Sequence, residues 1–296
     1  MRALDYIAPH TVGDAIAALA GKGNRARPLA GGTDLIVQLR SSLLDLDLVV
    51  DVKKIPELNA ITYHAGTGLT IGAAVPCCRI VEDADIARVY PGLVDAVAVI
   101  GGAAIQGRAT LGGNLCNAAP SADAIPAMIA LEAACTIMGP TGPRTVPADS
   151  FCTGPGATVL GSGELLVSIH FPQPGDCSGT CYLRFIPRHK MDIAVAGVAA
   201  SVTLSADRAT IETARIALSA VGPTPLYVTA AGAALQGKVP SRESFAEAAR
   251  AAQEASHPIT DVRGTETQRR HLVGVLTRRA LHGALERAKG GVVHGH

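Results

Sequence analysis

Two pairs of adjacent glycines, Gly31-Gly32 and Gly112-Gly113, restrict what this chain can fold into more than any other feature. The first pair runs into Thr33 and Asp34, both helix-capping types, and the second into Asn114, a residue that tolerates turns. Glycine admits positive φ and lets a ligand approach the backbone amides closely. Successive N–H groups with a helix N-terminus behind them form a nest for an anion. Neither loop contains Lys or Arg, so an anion held there would rest on backbone dipoles. Each pair alone describes an ordinary tight turn equally well; having two makes a phosphate clamp the competing reading. The familiar phosphate loops are missing. There is no G-x-x-x-x-G-K-[ST], and Gly21 and Gly23 neither complete G-x-G-x-x-G nor follow a strand.

Around these bends the hydrophobic pattern divides the chain into three styles. Residues 11–20 predict a helix with Val12, Ile16 and Leu19 on one face and Thr11 with Asp14 at its start. Residues 35–39 predict a short helix and 46–52 a strand ending in Asp51, which completes a small α/β unit. Segments 58–61 and 67–74 predict a hairpin. Residues 80–99 read as helix broken at Pro91-Gly92, and 123–134 as helix with Pro126 in its first turn, where proline is tolerated. Strands are expected at 135–138 and 165–171. A Pro/Gly/Ser stretch at 172–179 suits a linker. Beyond it come strand-like runs at 181–186, 193–204 and 209–221, then helices at 229–235, 241–255 and 267–288. That order is the mark of a separate α+β domain. The expected divisions are 1–56, 57–175 and 176–290.

At 296 residues the chain is too long for one core, and a net charge of +1 gives no field to recruit nucleic acid or anionic lipid. Trp is absent and aromatics are 3%, which leaves little for base stacking. The seven cysteines form no C-x-x-C, and neither Cys77-Cys78 nor the Cys177, Cys181 spacing has a complement for zinc or an iron–sulfur cluster. They are expected to be reduced, small buried hydrophobes. No signal peptide opens the chain and no run nears the roughly 18 apolar residues of a membrane span, so a cytoplasmic protein is expected. The terminal His294 and His296 read as a frayed tail. There is no H-E-x-x-H and no G-x-S-x-G, as suits a relay rather than an acid–base catalyst.

The run from Pro28 to Leu35, PLAGGTDL, resembles the first flavin loop of the medium, FAD-binding subunit of the molybdenum hydroxylases. The run from Thr110 to Asp123, TLGGNLCNAAPSAD, resembles the second. That subunit type occurs in the carbon monoxide dehydrogenase and xanthine dehydrogenase families. The resemblance covers nearly the whole chain, through Gly163-Glu164-Leu165-Leu166, the segment Lys190-Met191-Asp192-Ile193-Ala194 and an Arg-rich last helix. It implies an α+β fold: two FAD-binding subdomains of the vanillyl-alcohol-oxidase (PCMH) type, and a C-terminal domain with a three-stranded antiparallel sheet and helices. FAD would lie between the subdomains. A small partner subunit would carry two [2Fe–2S] clusters and a large one molybdopterin, in a dimer of heterotrimers. Electrons would pass from the nearer cluster through FAD to an external acceptor.

The resemblance also implies residue roles. Leu29, Ala30, Gly31, Gly32, Thr33 and Asp34 would wrap the pyrophosphate, with helix capping as the plainer role of Thr33 and Asp34. Thr110, Gly112, Gly113 and Asn114 would form the other half. Asp123 would accept a hydrogen bond from a ligand hydroxyl, or simply cap its helix. Ile100 and Gly101 would lie on the adenine side. Leu165 or Leu166 would touch the flavin, unless both are core. Arg184 would stand near the isoalloxazine, where a cation stabilises reduced flavin; the plainer reading is a strand-surface arginine. Lys190 and Asp192 would border the flavin face, or form a salt-bridged turn. Asn117 runs directly into Pro120, with no cysteine-rich insert, so no [4Fe–4S] cluster is expected. Arg269, Arg270, Arg278, Arg279 and Arg287 read as a solvated helix face, with a docking surface as the alternative. Two other functions compete: a self-sufficient flavoenzyme of the same fold, which usually needs an acid–base residue or a flavin-linked histidine, and a module that has lost its flavin. No histidine lies in either glycine loop.

Overall fold

The computed structural model describes residues 4–188 and 191–293. Its first unit is a three-stranded parallel sheet with Leu48–Asp51 between Asp5–Ile7 and Ala26–Leu29. All four residues of the central strand are buried, as a strand covered on both faces requires. The helix Val12–Lys22 begins at Thr11, whose hydroxyl accepts from the Asp14 amide at 3.1 Å. It lays Ala15, Ile16 and Leu19 against Leu48, Val50 and Val52. Leu58, Ala74 and Leu165 complete this core although they come from later segments, so the first unit is closed by the second.

The second unit is a five-stranded antiparallel sheet in the order Ile61–His64, Gly68–Gly72, Leu165–Phe171, Ala134–Gly139, Gly142–Pro147. Leu58 belongs to a helical turn, Pro56–Asn59, rather than to the expected strand, because proline at the first helical position starts a turn. The short helices Cys77–Val81, Ala84–Val89, Pro91–Val97, Leu111–Asn117 and Ala124–Ala130 pack on this sheet through one continuous core. Without Trp, its bulk comes from Tyr90 between Tyr63 and Phe171, with ring centroids 6.4 and 6.1 Å away. The Tyr90 hydroxyl donates to the Pro172 carbonyl at 3.1 Å, so a buried phenol is not left unpaired.

The third unit is an antiparallel meander: Ser178–Phe185, Ala196–Leu204, Ile211–Ser219 and Leu226–Tyr227. It has four strands, not three. The fourth is only two residues long, held on the edge by pairing of Leu226 with Leu218, and Arg215 lies 4.1 Å from the Tyr227 ring centroid. The helices Arg242–Ala255 and Glu266–Ala288 fill one face of the meander. The other face meets the second unit through Ala96, Ala127, Ala130, Ala199 and Tyr182, small residues that bring backbones close. The last helix is not a uniformly solvated arginine face. Arg269 is 3% exposed and donates to the Val195 and Ala220 carbonyls and to Asp261. Arg287 is paired with Asp95 of the second unit at 2.5 and 3.0 Å. Among the described residues no helix is long and apolar enough to cross a membrane.

Candidate flavin site

The strand Ala26–Leu29 delivers the chain to the first bend, where Gly32 takes φ +79° and the helix Leu35–Arg40 begins. A Cβ on Gly31 would lie 1.9 Å from the Arg108 carbonyl oxygen and 3.1 Å from the Ala109 Cα. Real side chains do not come that near, so the first bend sits backbone to backbone on the residues leading into the second. A side-chain bond from Gln38 Nε2 to Asn117 Oδ1 at 3.4 Å also joins the two helices that follow the bends.

The second bend is fixed by its own chemistry. Thr110 is extended and its hydroxyl accepts from the Gly113 amide at 3.0 Å, which caps the helix Leu111–Asn117. Gly112 is buried, and a Cβ there would lie 2.5 Å from the Ala73 carbonyl oxygen, so this glycine serves packing. Gly113 meets only the Thr110 hydroxyl. The side-chain oxygen of Asn114 is buried with no hydrogen-bond partner among the described residues. A buried polar atom left unpaired calls for an explanation, and a ligand donor is one that a binding cradle provides.

Asp123 stands at the start of the helix Ala124–Ala130, but its side chain makes no capping bond. Both carboxylate oxygens point to the third unit. Tyr182 donates its hydroxyl at 2.7 Å and Arg184 its guanidinium at 2.8 Å. Arg184 also donates to the Asp192 carbonyl at 3.2 Å. Its side chain is only 6% exposed, so it is an internal cation and not a strand-surface arginine. Burial pushes the Asp123 carboxyl up to about 6, while Arg184 and Tyr182 pull it back down.

The segment carrying Asp192 packs on Gly102 and meets Arg184. A Cβ on Gly102 would touch the Met191 sulfur at 3.2 Å, and Gly101 beside it takes φ +61°. Ile100, half-buried, packs against the core of the second unit. The Asp192 carboxylate accepts from Arg188 at 3.1 Å and from the Ile193 amide at 2.8 Å, and the Arg188 bond holds it below the usual carboxylate range. Its ion-pair partner is thus Arg188; Lys190 lies outside the described residues.

Of the first-bend residues, Leu29, Ala30, Gly31, Gly32 and Thr33 are half-buried; Asp34 is exposed at the helix start without a side-chain cap bond. Leu165 and Leu166 are 4% and 2% exposed and belong to two different cores. Arg108, Gly102, Met191 and Tyr182, which touch or adjoin the expected site residues, were not singled out by sequence reasoning. None carries a local signal; each matters through a neighbour distant in the chain.

Two glycine bends locked together, with a third unit joined to Asp123 through Tyr182 and Arg184, are an arrangement that suits a dinucleotide-binding flavoprotein. Family models agree. Residues 2–174 match the FAD binding domain in molybdopterin dehydrogenase, and residues 182–284 match the CO dehydrogenase flavoprotein C-terminal domain. The chain is 33% identical to a putative xanthine dehydrogenase FAD-binding subunit of Escherichia coli, over 95% of each chain. It is 33% identical to the carbon monoxide dehydrogenase medium chain of Afipia carboxidovorans, over 96% of this chain and 98% of that one. Its structure superposes on carbon monoxide dehydrogenase from Hydrogenophaga pseudoflava with a TM-score of 0.92 at 33% identity, covering 97% and 98% of the two chains. The chain therefore belongs to the FAD-binding medium subunits of the molybdenum hydroxylases, and it is an oxidoreductase subunit whose cofactor is FAD. Its residues fit that cofactor: Gly31 lets the two bends meet backbone to backbone, and Asn114 beside them keeps a buried acceptor with no partner among the described residues.

Proposed function

We propose that this subunit relays electrons from [2Fe–2S] clusters of a small partner subunit through FAD to an external acceptor, while a large molybdopterin subunit oxidises the substrate. The observation that carries the reading is the seating of Gly31 on Arg108 and Ala109, which merges two bends into one cradle. Helix starts leave their first amides without intrahelical partners, and two such starts meet here. The amides of Gly31 to Asp34 would grip the pyrophosphate, while those of Gly113 and Asn114 are spent on the Thr110 hydroxyl and carbonyl and hold the second bend in shape. Asp123 would accept from a hydroxyl of the nucleotide. Arg184, held by Asp123 and the Asp192 carbonyl, would supply the positive charge that favours reduced flavin. FAD held there would supply redox chemistry that accepts electrons singly and can pass them on singly or in pairs. Leu165, Leu166, Ile100 and Gly101 would bound the site.

The relatives named FAD-binding subunit and medium chain support a larger assembly. We take it as a cytoplasmic dimer of heterotrimers, with this chain divided near 56/57 and 175/176. The test is reconstitution. The chain purified alone should bind one FAD and oxidise no substrate. Co-purified with its partners it should carry iron and molybdenum, and substrate should bleach the flavin. Turnover by the isolated chain would instead establish a self-sufficient flavoenzyme.

A further inference from the structure

The buried phenol of Tyr182 has no role assigned so far. Its hydroxyl donates to Asp123 Oδ1 at 2.7 Å while Arg184 donates to Oδ2 at 2.8 Å. Two donors on opposite oxygens fix the plane of a carboxylate, and one lone pair on each oxygen remains for a ligand hydroxyl. Tyr182 is itself held from two sides. Its amide donates to Asp95 Oδ2 at 3.2 Å, and Asp95 is clamped by Arg287, which also donates to the Thr180 carbonyl at 2.6 Å. The last helix and the helix Pro91–Val97 thus anchor the backbone of the strand Ser178–Phe185 at Thr180 and Tyr182, beside the phenol that reaches Asp123. We infer that Tyr182 is a positioning residue for nucleotide binding: it orients the Asp123 carboxylate toward a hydroxyl of the FAD, and the Asp95–Arg287 pair sets its reach.

This rests on the FAD reading above. Its pH consequence follows from the neighbours of Asp123. Tyr182 and Arg184 face it from the strand Ser178–Phe185. The helix Pro91–Val97 brings Asp95, already matched by Arg287, and the strand Ile211–Ser219 brings Arg215, which donates to the Ile129 carbonyl. The strand Ala196–Leu204 brings no titratable group. Tyr182 holds the Asp123 carboxyl down, so its loss lets that carboxyl titrate at higher pH.

The test is FAD titration of the full apo chain by fluorescence between pH 5 and 8, with Tyr182→Phe, Asp123→Asn and the double variant. Tyr182→Phe should weaken FAD binding about tenfold at pH 7. It should also move the pH at which affinity falls upward. Asp123→Asn should bind weakly with no pH dependence in that window. The double variant should bind FAD no more weakly than Asp123→Asn, because both changes remove the same interaction. If Tyr182→Phe matches wild type in affinity and pH profile, or if the two losses multiply in the double variant, Tyr182 is core packing and the inference falls. Should Tyr182→Phe not fold, the double variant against Asp123→Asn decides. Failure of the wild-type chain to take FAD would sink the flavin reading itself.

Discussion

Replacing Gly31 with alanine puts a methyl group where a Cβ would lie 1.9 Å from the Arg108 oxygen, 2.6 Å from its carbonyl carbon and 3.1 Å from the Ala109 Cα. Ordinary contact begins at 3.4 Å, so the two bends must separate by about 1.5 Å. The obstruction is backbone against backbone, so no rotamer change relieves it. Overpacking of this kind costs about 1–3 kcal/mol of stability in the chain without ligand. The effect on FAD should be larger. Amide–phosphate bonds need donor–acceptor distances near 2.9 Å, and each bond to a charged group is worth about 1.5–3 kcal/mol. Moving one bend by that much removes at least two of them, a loss of roughly 3–6 kcal/mol or on the order of 10²–10⁴ in affinity. Gly107→Ala is the control, because nothing lies within 4 Å of a Cβ there. The assay pairs calorimetric melting of the apo chain with fluorescence titration of FAD. A Gly31→Ala chain that binds FAD as tightly as wild type would refute the idea that the packed bends make the site.

Three further outcomes are expected. Asp95→Ala leaves the nearly buried Arg287 guanidinium without its carboxylate, and should cost about 3–5 kcal/mol in denaturant unfolding; unfolding at wild-type denaturant concentrations would show the pair to be idle. Asp123 titrates near 6 in the folded chain against about 4 unfolded, so the folded state binds more protons across that window. Its contribution to stability is therefore full below about pH 4 and declines as pH rises to 6, by no more than about 3 kcal/mol. The stability of wild type relative to Asp123→Asn should fall over that range, and a flat difference would remove the titration. Burial raises the thiols of Cys116 and Cys135 to about 12, so iodoacetamide at pH 7.5 should label them only after unfolding, as peptide mass mapping would show.

What the sequence made legible was what the backbone itself demands. Gly31 and Gly112 stand where no Cβ fits, so the glycines were visible before any packing was known. Thr11, Ser241 and Thr265 each accept from an amide three residues on, a relation contained in four residues. The rest depends on partners far along the chain. Tyr182 and Asp123 are 59 residues apart, and Asp95 and Arg287 are 192 apart. An arginine on a helix reads as solvated until a carboxylate from another unit reaches it. The strand Gly142–Pro147 was missed because prolines break a strand pattern; it lies at the sheet edge, where missing donors cost little. Leu226–Tyr227 is too short for any period to register.

The strand Ser178–Phe185 explains why the third unit is tied to the second and is no appendage. Successive residues of a strand face opposite sides. Gly179, Cys181 and Leu183 turn toward the helices of their own unit, and a Cβ on Gly179 would lie 2.2 Å from the Ala284 oxygen of the last helix. Thr180, Tyr182 and Arg184 turn the other way. Thr180 packs on Gly92, Tyr182 joins the alanine seam, and Tyr182 and Arg184 both reach Asp123. A slip of one residue would carry Leu183 to Asp123 and bury the guanidinium in an apolar core. The register that closes the third unit's core is therefore the same register that delivers its polar side chains to Asp123. Folding of that unit and closure of the Asp123 cluster are one event.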